Sequence, residues 1–154
     1  MRKVKKFKLT SEFIVDISGV KLFRIKALIE FGNVKAGDLG GYIEKEENLS
    51  HMGDAWIYGD AQISGNAQVS GNARVSGDAR VSGDKDYAYA HGFGSCNRTT
   101  TFFRLKDGDV GVRCGCFYGT LAQFRDKVCE THGETKKAQE YLMLADLMEI
   151  RFKN

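Results

Sequence analysis

The chain has 154 residues, of which 28% are charged and 42% apolar, with a formal net charge of +3; these values suit a folded domain and exclude intrinsic disorder. Its longest aliphatic or aromatic runs, such as Phe13-Ile14-Val15, cover about three residues, which excludes a long apolar span and supplies no signal-peptide core, so a cytoplasmic protein is expected. The basic excess is local: without Arg2, Lys3, Lys5, Lys6 and Lys8 the remainder is slightly acidic.

Such a basic arm can grip nucleic acid or another polyanion. Here Val4, Phe7 and Leu9 are interleaved with the lysines as in a strand, and no Trp, Tyr or Arg cluster accompanies them. The pattern favours a solvated edge strand protected by lysine over a nucleic-acid contact. Residues 2–9 and 13–17 are predicted strands, and Ser18-Gly19 turns the chain into a third strand from Val20 to Phe31. Gly32, Gly37, Gly40 and Gly41 then make an irregular approach to the next segment, with Phe7, Phe13, Phe23 and Phe31 placed to close its end.

From Asp54 to Gly83 one six-residue unit, Asp/Asn-Ala-x-Ile/Val-x-Gly, occurs five times without insertion, beginning at Asp54, Asp60, Asn66, Asn72 and Asp78. A helix would place equivalent residues about 120° apart and scatter the Ala and Ile/Val set. In an extended segment Ala55 and Ile57 share a face, as do the matching pairs of later copies, so each copy predicts a short strand. The Gly and Asp/Asn between copies tolerate positive φ and bond their own backbone, turning the chain at every sixth residue. The pattern fails at Asp84-Lys85-Asp86-Tyr87, where Lys stands in the Ala position.

These copies resemble the hexapeptide-repeat family, whose left-handed parallel β-helix has three six-residue faces per coil. The resemblance implies a mainly β fold: a short left-handed parallel β-helix over residues 38–86, an N-terminal β cap over 1–37 and a C-terminal α+β module over 87–154. It further implies stacking of residues eighteen apart, Ile57 on Val75, Ile63 on Val81, Ala55 on Ala73 and Ala61 on Ala79. Five copies make under two coils, so a homotrimer with its prisms side by side is expected to complete the burial. The longer run Asp38-Leu39-Gly40-Gly41-Tyr42-Ile43-Glu44, continuing through Asn48-Leu49-Ser50 to Ala55-Trp56-Ile57, is similar to a group of phage and prophage hexapeptide proteins. That likeness implies a mobile genetic element acting in the cytoplasm of a bacterial host cell.

The next stretch, Tyr87 to Thr101, is rich in Gly and in hydrogen-bond donors, with Ser95, Asn97, Arg98, Thr99 and Thr100 crowded together. An Arg fork with hydroxyls and amides suits a phosphate, although no Gly-Lys-Ser/Thr makes this a Walker loop; the alternative is a polar bend entering a Thr-rich strand. Thr99–Leu105 and Val110–Cys116 predict a hairpin across Lys106-Asp107-Gly108-Asp109, which places Arg113 on its second strand. A helix follows, with Thr120 as N-cap, Leu121, Phe124 and Val128 as its apolar stripe and Gly133 past its end. Thr135 is expected to cap a second helix with Ala138, Tyr141, Leu142, Ala145 and Met148 inward, before Ile150–Phe152 returns as a short strand.

For function, three readings compete. The family's fold hosts acyltransferases that use a His base, but His51 and His91 stand without a catalytic set, and the fold alone supplies no site. A zinc site from Cys96, Cys114, Cys116 and Cys129 with His91 and His132 lacks any C-x-x-C pair, and buried thiols are the simpler reading. A purely structural oligomer is the second alternative. The favoured reading is a non-enzymatic binding protein that needs no cofactor: outward positions place Trp56 above Arg74, a pair able to stack on a base and hold a phosphate or to anchor a subunit contact. The expected site is Trp56, Arg74, Ser95, Asn97, Arg98, Thr99, Thr100 and Arg113, taking a nucleotide or other phosphorylated small molecule, or masking a host defence protein.

Overall fold

A computed structural model describes residues 5–93, 98–115 and 117–153, with the side chains of Asp84 and Arg98 outside the description. Strand β1 (Phe7–Val15) pairs antiparallel with β2 (Lys21–Ala27), which pairs antiparallel with β3 (Leu39–Ile43). Phe13 therefore belongs to the same strand as Phe7, and the extra residues around Thr10–Glu12 form a bulge where the register shifts. The repeat contributes four two-residue strands, β4 (Trp56–Ile57), β5 (Gln62–Ile63), β6 (Arg74–Val75) and β7 (Arg80–Val81). The remainder forms β8 (Tyr87–Phe93), β9 (Arg98–Arg104), β10 (Val110–Cys114), β11 (Phe117–Thr120), α1 (Leu121–His132) and α2 (Lys136–Arg151).

The mainly β architecture expected around a left-handed parallel β-helix is corrected here. Among the described residues the strands form three separate sheets, a mixed one in the order β1-β2-β3-β5-β7, a parallel pair β4-β6, and an antiparallel one in the order β11-β10-β9-β8. With two helices this is a mixed arrangement in which no continuous parallel solenoid is evident. Residues eighteen apart do pair in parallel, Ile57 with Val75 and Ile63 with Val81, but through strands of two residues each. The third copy meets the chain ahead of the repeat through a single bridge, Leu49 with Val69. Five copies are too few to extend these contacts into three full faces, and β5 and β7 are instead absorbed into the sheet begun by the N-terminal strands.

Burial explains why the segment holds. Ala55, Ile57, Ala61, Ile63, Ala67, Val69, Ala73, Val75, Ala79 and Val81 are all at most 1% exposed and share one core with Phe7, Ile25, Ile43, Trp56 and Phe103. Each buried Ile or Val side chain contributes about 1.5–3 kcal/mol of transfer free energy, and each Ala less. Trp56 lies between β1 and the loop after β2, edge-on to Phe7 and Phe31 with ring centroids 6.4 and 5.3 Å away. Phe13 and Phe23 pair with each other instead, at the far end of the hairpin.

A second core lies on the other side of the β8–β11 sheet, where Phe102, Val112 and Cys114 meet Leu121, Phe124 and Val128 of α1 and Ala138, Tyr141, Ala145 and Met148 of α2. The helix ends follow the sequence reading: Thr120 Oγ1 accepts from Gln123 N, Thr135 Oγ1 accepts from Ala138 N, and Gly133 stands past the end of α1. The short strand expected at Ile150–Phe152 is absent, because α2 continues through Arg151 and Phe152 N still bonds Met148 O.

Candidate functional site

The antiparallel sheet docks on the repeat through one row of side chains. Pairing aligns Tyr89 with Thr101, Thr101 with Arg113, and Arg113 with Tyr118 across the four strands, and residues opposite one another in a sheet share a face. The Tyr89 and Tyr118 hydroxyls rest against Gly71 and Gly77 of the repeat. Thr101 Oγ1 accepts from Arg74 N at 2.9 Å, and Arg113 Nη1 donates to Ser76 Oγ at 3.1 Å. The Arg113 guanidinium also lies 5.0 Å from the centre of the Tyr58 ring, a cation–π contact.

One step further along the strands, the same face carries His91 opposite Thr99, and Gly115 follows the end of β10. Here a cleft of about 460 Å³ opens between the sheet and the repeat. It is lined by Asn33, Asp54, Asn72, Arg74, Thr99, Arg113 and Gly115. Arg74 is held through its backbone on β6, and among the described residues its guanidinium makes no hydrogen bond or ion pair. Arg113 is anchored by Ser76 and by Gly115 O at 3.4 Å, with donors left over. Thr99 Oγ1 is 2.6 Å from His91 Nδ1. Asp54 N donates to Asn72 Oδ1 at 3.4 Å, which stacks the first residues of two repeat copies along one wall.

That wall is fixed from behind by Lys6. Its side chain is buried, donates to Ala55 O at 2.6 Å and Gly53 O at 3.4 Å on either side of Asp54, and lies 4.7 Å from the centre of the Phe31 ring. Burial lowers the Lys6 pKa to about 8, a fall that the negative charge of Asp54 partly offsets. Lys6 N in turn donates to His51 Nδ1, and His51 Nε2 meets Glu46 Oε1 at 2.8 Å.

Of the residues expected at a site, the structure brings Arg74, Thr99 and Arg113 together. Trp56 is 1% exposed and serves the core, so it is not a stacking surface. Thr100 points to the opposite side of β9, fully buried, with its hydroxyl 3.3 Å from Cys114 Sγ. Ser95, Asn97 and the Arg98 side chain lie outside the described residues, as do Cys96 and Cys116. Asn33, Asp54 and Asn72 escaped sequence reasoning; Asp54 and Asn72 were read as turn residues, and their eighteen-residue spacing was the available signal. Among the described residues no group of three His, Cys, Asp or Glu is placed to hold a metal, and no helix is long and apolar enough to cross a membrane.

No protein-family model matches the chain, and no curated protein matches it either.

Proposed function

We propose that the protein is a non-enzymatic binding protein whose cleft between the repeat and the antiparallel sheet takes a phosphorylated small molecule. One observation carries this reading: the guanidinium of Arg74, without a hydrogen-bond or ion-pair partner among the described residues, lines the cleft beside Arg113. A free guanidinium offers five donors in a planar fork that matches phosphate oxygens, and Arg113 and the Thr99 hydroxyl stand ready to complete the cradle. A rigid platform costs little ordering on binding, and the docking row around Thr101 and Arg113 supplies one.

The absence of chemistry in this reading rests on the histidines. Both ring nitrogens of His51 are engaged, by Lys6 N and by Glu46. His91 touches only Thr99 among the described residues, with no third group orienting its ring, whereas a nucleophile and base normally need one. The sequence likeness adds a setting: a homotrimer encoded by a phage or prophage that withholds a phosphorylated signal from a defence system in the host cytoplasm, the phosphate being the handle.

Isothermal titration of the purified chain against inorganic phosphate and a panel of linear and cyclic nucleotides tests the proposal, with native mass measurement for the trimer. Saturable binding lost in Arg74→Ala supports it. No heat with any phosphate-bearing compound defeats it.

A further inference from the structure

We infer that the cleft recognises a phosphorylated sugar, with Arg74 and Arg113 on the phosphate and Asp54 and Asn72 reading the sugar hydroxyls. This rests on the phosphate-binding reading above and specifies the rest of the ligand. A volume of about 460 Å³ is within the range of small-molecule sites, which begins at about 300 Å³, and far exceeds what one phosphate fills. The cleft therefore has room for something attached to the phosphate.

The chemistry of the lining says what. Asp54 is exposed, and its carboxylate accepts no hydrogen bond and pairs with no cation within 4.0 Å among the described residues. An acceptor-only group beside two arginines disfavours a second or third phosphate and calls for a donor. Asn72 has its Oδ1 committed to Asp54 N, which leaves its amide N–H groups to donate. Asn33 adds another amide. A hydroxyl both donates and accepts, so vicinal hydroxyls answer Asp54 and Asn72 together.

A nucleobase is served less well. No aromatic side chain lines the cleft among the described residues. Trp56 is buried under Phe7 and Phe31, and the guanidinium of Arg113 lies over the Tyr58 ring. Base recognition without sequence-specific partners relies on such platforms. Lys6, bonded to the carbonyls flanking Asp54, fixes the backbone that carries that carboxylate.

The test is calorimetric titration of the full chain with inorganic phosphate, ribose 5-phosphate, glucose 6-phosphate, adenosine 5′-monophosphate and free ribose. The expected result is at least tenfold tighter binding of a sugar phosphate than of inorganic phosphate, with free ribose silent. Asp54→Asn, and separately the exposed Asn72→Ala, abolish that preference, read as the ratio of the two affinities in each variant, since Asp54→Asn also removes a negative charge that opposes any phosphate. Three results overturn the inference and leave the phosphate reading standing: equal affinity for phosphate and both sugar phosphates, a preference that survives both substitutions, or the nucleotide binding tenfold tighter than ribose 5-phosphate. Silence from every phosphate compound, inorganic phosphate included, removes the phosphate reading itself and the sugar with it.

Discussion

The guanidinium of Arg113 lies 5.0 Å from the centre of the Tyr58 ring, joining the antiparallel sheet to the first copy of the repeat. Its Nη1 reaches Ser76 Oγ in a later copy, so one side chain spans the wall of the cleft. Replacing it with Ala removes a charge-assisted hydrogen bond and the ring contact, a loss of about 1–3 kcal/mol. Denaturant unfolding should report that loss for Arg113→Ala. Arg113→Lys should recover only part of it, because an ammonium cannot hold Ser76 and Gly115 in the same fork. Full stability in both variants would mean that the docking row does not need this residue.

A comparison of two glycines isolates the docking contact from backbone strain. Gly59 and Gly77 occupy equivalent turns with φ of +62° and +64°, where a Cβ is strained in either case. A Cβ at Gly59 would meet only Gly77 N, at 3.9 Å, whereas at Gly77 it would run into the Tyr118 hydroxyl. Gly77→Ala should therefore destabilise the protein more than Gly59→Ala, by about 1 kcal/mol, since the half-exposed Tyr118 ring can shift. Combining it with Tyr118→Ala should shrink the difference. Equal melting temperatures for the two single variants would contradict the docking described here.

Lys6 gives a pH signature. Its pKa is about 8 when folded against an ordinary 10.5, so between those values the unfolded chain binds more protons and stability rises with pH. The contribution is complete above the unfolded value and is lost as pH falls through about 8. Lys6→Met keeps the apolar stem without the charge. Other groups titrate in the same range, so the quantity to follow is the difference in unfolding free energy between the two proteins. The natural chain should gain relative to Lys6→Met from pH 7.5 to 10; a flat difference would show that the ammonium is not held as described.

Local signals in the sequence were readable because their causes are local. Thr120, Gln123, Gly133 and Thr135 mark helix ends by bonding residues within a turn, and the hairpin of β9 and β10 follows from the Asp107-Gly108 turn between two apolar runs. The assignment of strands to sheets was not readable, since it depends on β2 and β3 capturing β5 and β7 across long sequence separations. Trp56 looked like an outward residue by strand alternation, and only the arrival of Phe7 and Phe31 buries it. Thr99 and Thr100 looked equivalent in a polar bend. A strand sends them to opposite faces, one into the cleft and the other beside Cys114.

The same logic separates Arg74 from Arg113. Arg113 is a structural residue with spare donors, while the guanidinium of Arg74 holds nothing among the described residues. Titration of inorganic phosphate and phosphorylated ligands into the natural chain and Arg74→Ala, with thermal unfolding of both, is the most direct measurement of the cleft's role. The account predicts melting temperatures that agree closely and binding that falls at least tenfold in the variant, equivalent to about 1.4 kcal/mol or more. Unchanged binding in Arg74→Ala, or an equal loss of stability and binding, would contradict it.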